Sequence, residues 1–253
     1  MTTRALFETE LDRRGLIYKI DPESGRHAVE VGGYQMLISL DNLQRDVNRD
    51  GDSGRVSRFV DAILVSSAIS STPPSAEQLY WCLEPHSYKE SADFRVALSD
   101  KVDRVLVHVS ADDRLVSWAT PDMLGSLGIS ETEAAARAFT NLARALSEAT
   151  VESQAIDGVQ LGFISTKLPF KASLILAPNL KDVVQAKLGW PLMAVAPDRD
   201  FMYLWAARHT DFVGRVGSVV VREYSQASYP ISAEVWEITD AKIQAVGEFP
   251  TGD

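Results

Sequence analysis

Cysteine is almost absent from this chain, which has a single one, Cys82, among 253 residues. One cysteine cannot form a disulfide within the chain, and it excludes a zinc site built from several thiolates. A lone thiol fits the reducing environment of the cytosol. We therefore expect a cytoplasmic protein without disulfides.

Long hydrophobic runs and an excess of basic residues are missing as well. No stretch of about eighteen apolar residues occurs, so neither a membrane-spanning helix nor a secretion signal is predicted. The chain has 25 lysines and arginines against 35 aspartates and glutamates, for a formal net charge of −10. Because a surface of this sign repels polyanions, we expect neither nucleic acid nor membranes as partners.

The remaining composition is that of an ordinary globular protein, with 45% hydrophobic and 24% charged residues. The length suits one large domain or two small ones. Ser70-Ser71-Thr72-Pro73-Pro74 contains two prolines, which resist both helix and sheet. We therefore place a linker at residues 70–74, between an N-terminal domain of residues 1–69 and a main domain of residues 75–253.

The N-terminal domain begins with a predicted helix over residues 3–14, followed by a strand at residues 16–20. Two further strands, at residues 27–31 and 34–39, flank Gly32-Gly33 and complete an antiparallel meander. From residue 41 to 68 the apolar residues recur every three or four positions, which predicts two helices separated at residues 51–54. These helices should cover one face of the meander.

The main domain is predicted to alternate strand pairs with single helices. Thr120 caps a helix that ends near Gly128, and Ser130 with Glu133 forms a capping box for a longer helix, whose apolar face leaves Asn141 on another side. Further helices begin near residues 179 and 210. Strands are predicted at residues 94–98, 104–109, 115–119, 159–165, 172–176, 192–196, 201–206, 235–238 and 243–246.

This order of elements favours one fold class. Because strands mostly adjoin strands along the chain, the sequence predicts an α+β fold of mainly antiparallel sheets with helices packed on one face, in two subdomains. A doubly wound parallel sheet would instead need a helix between almost every pair of strands.

Four short stretches occur in an order typical of one protein family. They are residues 38–43, residues 120–129, the helix with Ala138 and Asn141-Leu142, and residues 195–200. In these stretches the chain resembles the bacterial YtpQ-like family, a group of cytosolic proteins with a domain of unknown function. The resemblance implies a cytosolic α+β protein. Because the family has no established activity, no catalytic residue is carried over to this chain.

The turn between the two apolar strands near residue 200 is the candidate functional site. Pro197-Asp198-Arg199-Asp200 places two carboxylates and a guanidinium at the tip of an otherwise apolar hairpin, a set of groups that suits a metal ion or a charged ligand. A purely structural role of this turn is favoured, because proline followed by aspartate is common in turns and an aspartate side chain can cap its own backbone. His108 and His209 are further candidates if the fold brings them to this turn.

Metal binding has weak support in the sequence. None of the four histidines lies in a zinc pattern, and Cys82 with His86 makes one ligand pair without a second, so no metal and no cofactor are predicted. Asp46–Asp52 resembles the start of an EF-hand loop, but its twelfth position is Ser57 instead of a bidentate glutamate. A solvated turn between helices is favoured there, and cation binding by this loop stays an open alternative.

Two functions follow as hypotheses. The preferred one is a non-enzymatic protein-interaction or regulatory module that binds a protein partner, because no catalytic set of residues converges in the sequence. Its contact residues would come from the aromatic side chains Trp81, Trp118, Tyr203 and Trp205, although each belongs in a core by default. The alternative is a hydrolase or metal-dependent enzyme centred on Pro197–Asp200. The oligomeric state is not predicted.

Overall fold

The computed structural model describes residues 2–22, 25–31, 34–69, 74–87, 92–110 and 116–251. The chain divides into two compact units, Met1–Pro73 and Pro74–Asp253, called here the N-terminal unit and the C-terminal unit. The predicted linker at residues 70–74 includes this division, and its first four residues lie outside the described residues, as does the turn at Gly32-Gly33.

The N-terminal unit has the helices and the meander that the sequence predicts. Its three strands form one antiparallel sheet in the order β1-β2-β3. Thr2 caps the first helix, since its side chain accepts a hydrogen bond from Ala5 N at 3.2 Å. The elements are α1 (Thr3–Arg13), β1 (Tyr18–Ile20), β2 (His27–Val31), β3 (Tyr34–Ile38), α2 (Asp41–Asp50) and α3 (Gly54–Ile69).

The core of the N-terminal unit lies between its helices and its sheet. Phe7 of α1, Val29 of β2 and Val60 of α3 are each 0% exposed and belong to one hydrophobic cluster. His27 is buried beside them, with its Nε2 3.0 Å from Glu8 Oε1 and its ring edge-on to Phe7. The Nδ1 of the same ring is buried without a hydrogen-bond partner among the described residues.

Asp46–Asp52 forms the end of a helix and not an EF-hand loop. Asp46 and Asn48 lie within α2, and Gly51 ends that helix with a φ of 68°. A helix places Asn48 on a different face from Asp46 and Asp50, so the three side chains do not surround one point as they do in an EF-hand loop. The carboxylates of the segment form ion pairs with three neighbouring arginines, Arg49, Arg55 and Arg58. The solvated turn favoured by the sequence is the arrangement found.

The C-terminal unit contains ten strands and four α-helices within its described residues. The strands are β4 (Leu79–Pro85), β5 (Arg95–Ala97), β6 (Val102–Val109), β7 (Val116–Trp118), β8 (Thr150–Ile156), β9 (Val159–Ser165), β10 (Leu192–Asp198), β11 (Phe201–Ala206), β12 (Glu234–Ile238) and β13 (Ile243–Glu248). The helices are α4 (Pro121–Leu127), α5 (Glu131–Ser147), α6 (Leu180–Leu188) and α7 (Val213–Gln226).

These strands form two sheets. The larger one has six strands in the order β13-β12-β10-β11-β9-β8, and the smaller one contains β4-β6-β5 with β7 also paired to β6. Every one of these pairs is antiparallel. The α+β fold class predicted from the sequence is therefore confirmed.

Helices cover both faces of the six-stranded sheet, whereas the sequence predicted them on one. Along β10, Leu192 and Ala194 pack in the cluster that contains α5 and α6. Met193 and Val195 point to the other face and pack in the cluster that contains α7. The continuous apolar run of β10 is typical of a strand buried on both sides. The prediction of one covered face is wrong because α7 crosses to the second face.

α4 and α5 begin where the sequence places their caps, whereas α7 begins at Val213, after a 3-10 turn at Thr210–Phe212, and not at residue 210 as predicted. Thr120 accepts a hydrogen bond from Met123 N at 3.2 Å, and Ser130 accepts one from Glu133 N at the same distance. Gly128, with a φ of 66°, ends α4. In the described part of the chain, no helix combines the length and the apolar content that crossing a membrane requires.

Gly162 of β9 makes room for α6. A Cβ at this position would lie 2.4 Å from Leu188 Cδ1, and Leu188 is only 3% exposed. We expect Gly162→Ala to lower the free energy of unfolding by about 1–3 kcal/mol, because the buried leucine side chain must leave its packed position to make room for the added methyl group. Gly125→Ala in α4, where no atom lies within 4 Å, should raise it by about 0.5–1 kcal/mol. Urea unfolding of the two variants checks this, and equal stabilities would contradict it.

Candidate functional site

The hairpin tip, Pro197–Asp200, is held in place by backbone hydrogen bonds to two other segments. Arg199 N donates to Tyr229 O at 2.9 Å, and Ala172 N donates to Arg199 O at 3.0 Å. Within the tip, Asp198 Oδ1 accepts a hydrogen bond from Asp200 N at 2.7 Å. Asp198 therefore has the structural role that the sequence favoured, since its carboxylate caps its own turn.

The side chain of Arg199 packs on an aromatic ring and takes no part in the turn. Its guanidinium lies over the ring of Tyr229, with Cζ 3.8 Å from the ring centroid. It makes no hydrogen bond with any residue that the structure describes, and its Nε is buried without a partner. Tyr229 itself is 37% exposed. The site thus holds a half-buried guanidinium, stacked on an exposed aromatic ring, that makes no hydrogen bond within the described protein. Its positive charge also interacts with Asp200 and Glu84; although desolvation lowers the pKa of Arg199, these interactions raise it.

Asp200 is half-buried beside this arginine. Its Oδ1 is buried and has no hydrogen-bond partner among the described residues. Desolvation raises the pKa of Asp200, although the positive charges of Arg199 and Lys171 oppose this shift. Two polar groups at the tip, one on Arg199 and one on Asp200, are therefore left without hydrogen-bond partners among the described residues.

Glu84 of β4 belongs to the same cluster and carries the largest carboxylate shift there. Desolvation raises the pKa of Glu84 to about 7, against the opposing charge of Arg199 and a hydrogen bond from Trp118. Its Oε1 lies 3.9 Å from the thiol of Cys82. That thiol is fully buried, and desolvation raises its pKa as well, so it stays protonated and unreactive.

A small pocket adjoins Glu84. Its roughly 180 Å³ of empty space is continuous with open solvent and holds no enclosed space for a water-sized molecule, so it is not a small-molecule site. Asp103 in its wall is 2% exposed and is already partnered by His86 Nδ1 and Arg95 Nη1, each at 3.2 Å. The pocket is lined by Glu84, Pro85, Ala92, Arg95, Asp103, Val105 and Trp118.

The structure does not bring His108 to the hairpin tip. Glu84 pairs with Asp103 in the β4–β6 ladder and shares its face of the sheet, whereas His108, an odd number of positions away, points to the other face. The Nε2 of His108 accepts a hydrogen bond from Ser75 N at 3.4 Å, and burial lowers its pKa. His108 is therefore a neutral side chain that fixes the segment before β4.

His209 lies far from the tip as well. Asp200 precedes β11 and His209 follows it, so the six residues of that strand separate them. At about 3.3 Å per residue this separation is roughly 20 Å. Cys82 and His86 do not form a ligand pair either, since Cys82 lies buried within β4, His86 follows the end of that strand, and the Nδ1 of His86 contacts Asp103. Across the described ranges, no three His, Cys, Asp or Glu side chains are grouped so as to hold a metal ion.

The aromatic residues proposed as contacts from the sequence lie mainly in the core. Trp81 and Trp205 are 5% and 0% exposed, and Trp118 and Tyr203 are half-buried. Tyr229 is the aromatic residue that the fold leaves at the surface beside the tip. Neither Tyr229 nor Glu84 was predicted from the sequence, because neither lies in a motif and each reaches the tip through long-range packing.

Comparisons of the chain with known protein families, with curated proteins and with solved structures give no match. The geometry of the hairpin tip is therefore the evidence for its role. Its features are a fixed hairpin tip, a stacked guanidinium without a hydrogen-bond partner, and two half-buried carboxyl groups with raised pKa values. Groups of this kind cluster at functional sites more often than elsewhere in proteins.

Proposed function

We propose that this chain is a cytosolic, non-catalytic protein-interaction or regulatory module, and that its contact site is the Arg199–Tyr229 pair. The observation that carries the proposal is the guanidinium of Arg199, which lies 3.8 Å from the exposed ring of Tyr229 without a hydrogen bond to a described residue. Arginine and tyrosine are enriched among the residues that dominate protein interfaces. The single cysteine supports a location in the cytosol.

The rigidity of the hairpin tip supports the same proposal. Backbone hydrogen bonds fix Arg199 at both its N–H and its carbonyl, so little backbone freedom is lost when a partner binds. Stacking on Tyr229 also restricts the side chain before binding. A pre-organised pair of this kind converts more of its contact energy into affinity.

The chemistry of Arg199 indicates which group of a partner it would bind. A guanidinium pairs best with a carboxylate, through two parallel hydrogen bonds. Asp200 and Glu84 compete less for this role than ordinary carboxylates, because desolvation raises the pKa of each. The net charge of −10 disfavours a strongly acidic partner. We therefore propose a partner surface that is nearly neutral and presents one carboxylate.

Capture of partners from native cytosol tests this proposal. We expect the wild-type chain to retain a protein that is lost with Arg199→Ala and with Tyr229→Ala. Arg137→Ala should retain it, because Arg137 is an exposed arginine of α5 whose ion pair is with Glu133. If the wild type and all three variants capture the same proteins, or none, the proposed contact site is wrong.

We also propose that the chain is a member of the bacterial YtpQ-like family. The four stretches that resemble the family support this, and one of them, residues 195–200, contains the hairpin tip. A second, Asn141-Leu142, lies on the buried side of α5. The assignment adds no activity, since the family has none established.

One observation supports the alternative of a hydrolase centred on Pro197–Asp200. A pKa of about 7, as for Glu84, is typical of a carboxyl group that transfers protons in catalysis. The thiol of Cys82 is no nucleophile at neutral pH, and the adjoining pocket is small for a substrate. Assays with activated esters and phosphate monoesters separate the alternatives: turnover that Glu84→Gln abolishes would favour the enzyme.

A further inference from the structure

The strand β8 forms one edge of the six-stranded sheet and is paired with β9 alone among the described strands. All seven of its residues pair with β9 in continuous register, without a bulge. It contains no proline and a single charged residue, Glu152. A long, regular edge of this kind is a template for another strand unless something protects it.

The opposite edge of the same sheet, formed by β13, is protected in two ways. The β12–β13 ladder is interrupted by a register shift at Val235/Trp236, which makes pairing with a further strand irregular. Glu248 at the end of β13 is also held in an ion pair with Lys101. On β8 the comparable feature is one exposed lysine, Lys187, which donates to Val151 O at 2.6 Å. Among the described residues, no other hydrogen bond reaches the outer edge of β8.

The geometry of the β8–β9 hairpin shows which backbone groups face outward. Its two-residue turn consists of Asp157 and Gly158, with φ values of 48° and 82°, and it closes on the pair Ile156–Val159. In a two-residue hairpin this closing pair is hydrogen-bonded, so every second residue before Ile156 also bonds to β9. The residues between them, Val151, Ser153 and Ala155, therefore direct their N–H and C=O groups to the outer edge. The lysine contact at Val151 O agrees with this assignment.

We infer that this edge pairs antiparallel with β8 of a second copy of the chain. In such a pair, residues whose backbone groups face outward must lie opposite the outward-facing residues of the other copy. The register that pairs the most residues of the two strands is centred on Ser153. In that register Glu152 of one copy lies opposite Gln154 of the other, twice by symmetry, so no like charges meet across the strand pair. The repulsion between two chains of net charge −10 acts at long range and is screened by salt. A shift that places Glu152 opposite itself brings two carboxylates together, which disfavours it. The strand is thus complementary to itself in one register.

This surface is independent of the Arg199–Tyr229 site. Glu152 and Gln154 are both exposed, and in the proposed ladder they form a non-hydrogen-bonded pair, the arrangement that brings opposed side chains closest. A charge introduced at residue 154 therefore tests this register directly. The result is a symmetric dimer in which the two six-stranded sheets join into one.

Sedimentation of the full chain over a wide range of concentrations tests the inference. We expect a reversible dimer whose dissociation constant falls roughly five-fold with Gln154→Lys, which adds two cross-strand ion pairs, and rises by a similar factor with Gln154→Glu. Ser153→Pro should abolish the dimer, because it removes the central outward N–H while the bonds to β9 remain.

Two results would overturn the inference. One is a wild-type chain that stays monomeric at every concentration. The other is a dimer with the same dissociation constant in Gln154→Lys and Gln154→Glu, since a different surface must then hold it. The two glutamine variants change only an exposed side chain, so the test does not depend on whether Ser153→Pro folds.

Discussion

Glu84→Gln should raise the free energy of unfolding of the C-terminal unit at pH 8 by up to about 3 kcal/mol and change it little at pH 4. The folded pKa of Glu84 is about 7, compared with 4.5 for an unperturbed glutamate. Between these values the folded state binds more protons than the unfolded state, so the stability of the wild type falls as the pH rises. The difference corresponds to about 3 kcal/mol once both states are ionised. Glutamine carries no charge and avoids this cost.

Urea unfolding at a series of pH values between 4 and 8 measures this effect. The advantage of the variant should grow steadily across that range and level off above the folded pKa. Glu148→Gln is the matched control, because Glu148 is exposed at the end of α5 and forms no ion pair with a described residue. A variant less stable than the wild type at pH 8 would show instead that attraction between Glu84 and Arg199 outweighs desolvation.

Asn141→Leu should lower the free energy of unfolding by about 2–4 kcal/mol. Asn141 is 4% exposed, and its Nδ2 donates to Ala76 O at 3.1 Å and to Leu79 O at 2.8 Å, which ties α5 to the start of β4. Leucine is similar in size but donates no hydrogen bond. The substitution therefore leaves carbonyl groups without their partners in a buried place, and each costs about 1–3 kcal/mol.

A second α5 variant provides the control for this prediction. Arg144→Ala removes a hydrogen bond from the same helix to Glu77 O, but at an exposed position, so we expect a loss below about 1 kcal/mol. Thermal and urea unfolding of both variants give the comparison. If the losses are equal, the burial of Asn141 does not make its hydrogen bonds more important than those at the surface.

Asn141 also shows where periodicity misleads. The spacing of apolar residues in α5 placed this side chain away from the core, because an asparagine does not count as apolar. The structure buries it, since two backbone carbonyls need its donors. A pattern of apolar residues cannot identify a buried polar residue of this kind.

The elements that the sequence predicts correctly are those fixed by local interactions. Helix caps at Thr120 and Ser130 depend on residues within three positions, so the sequence is sufficient to place them. β4 and β8 were not predicted, and β8 is too polar to show a strand pattern. Residues 172–176 were predicted as a strand but form part of a 3-10 helix, Lys171–Leu176. Because all the residues of that segment are buried, its apolar residues show no periodicity that distinguishes a helix from a strand.

The residues of the candidate site also divide into those predicted from local signals and those that only the tertiary fold brings together. The hairpin tip was predicted because a Pro-Asp turn between apolar strands is a local signal. Glu84 and Tyr229 come from segments more than 25 residues away in the chain, and only the tertiary fold brings them to Arg199. His108 and His209 were proposed from residue type alone, and the fold places neither at the tip.

The most direct test of the central claim measures binding and stability together in Arg199→Lys. Lysine keeps the positive charge but loses the planar group that stacks on Tyr229 and pairs with a carboxylate. We expect affinity for the partner captured by the wild type to fall at least about ten-fold, while the free energy of unfolding changes by less than about 1 kcal/mol. Unchanged affinity with a clear loss of stability would contradict the account, because Arg199 would then support the fold and not a partner.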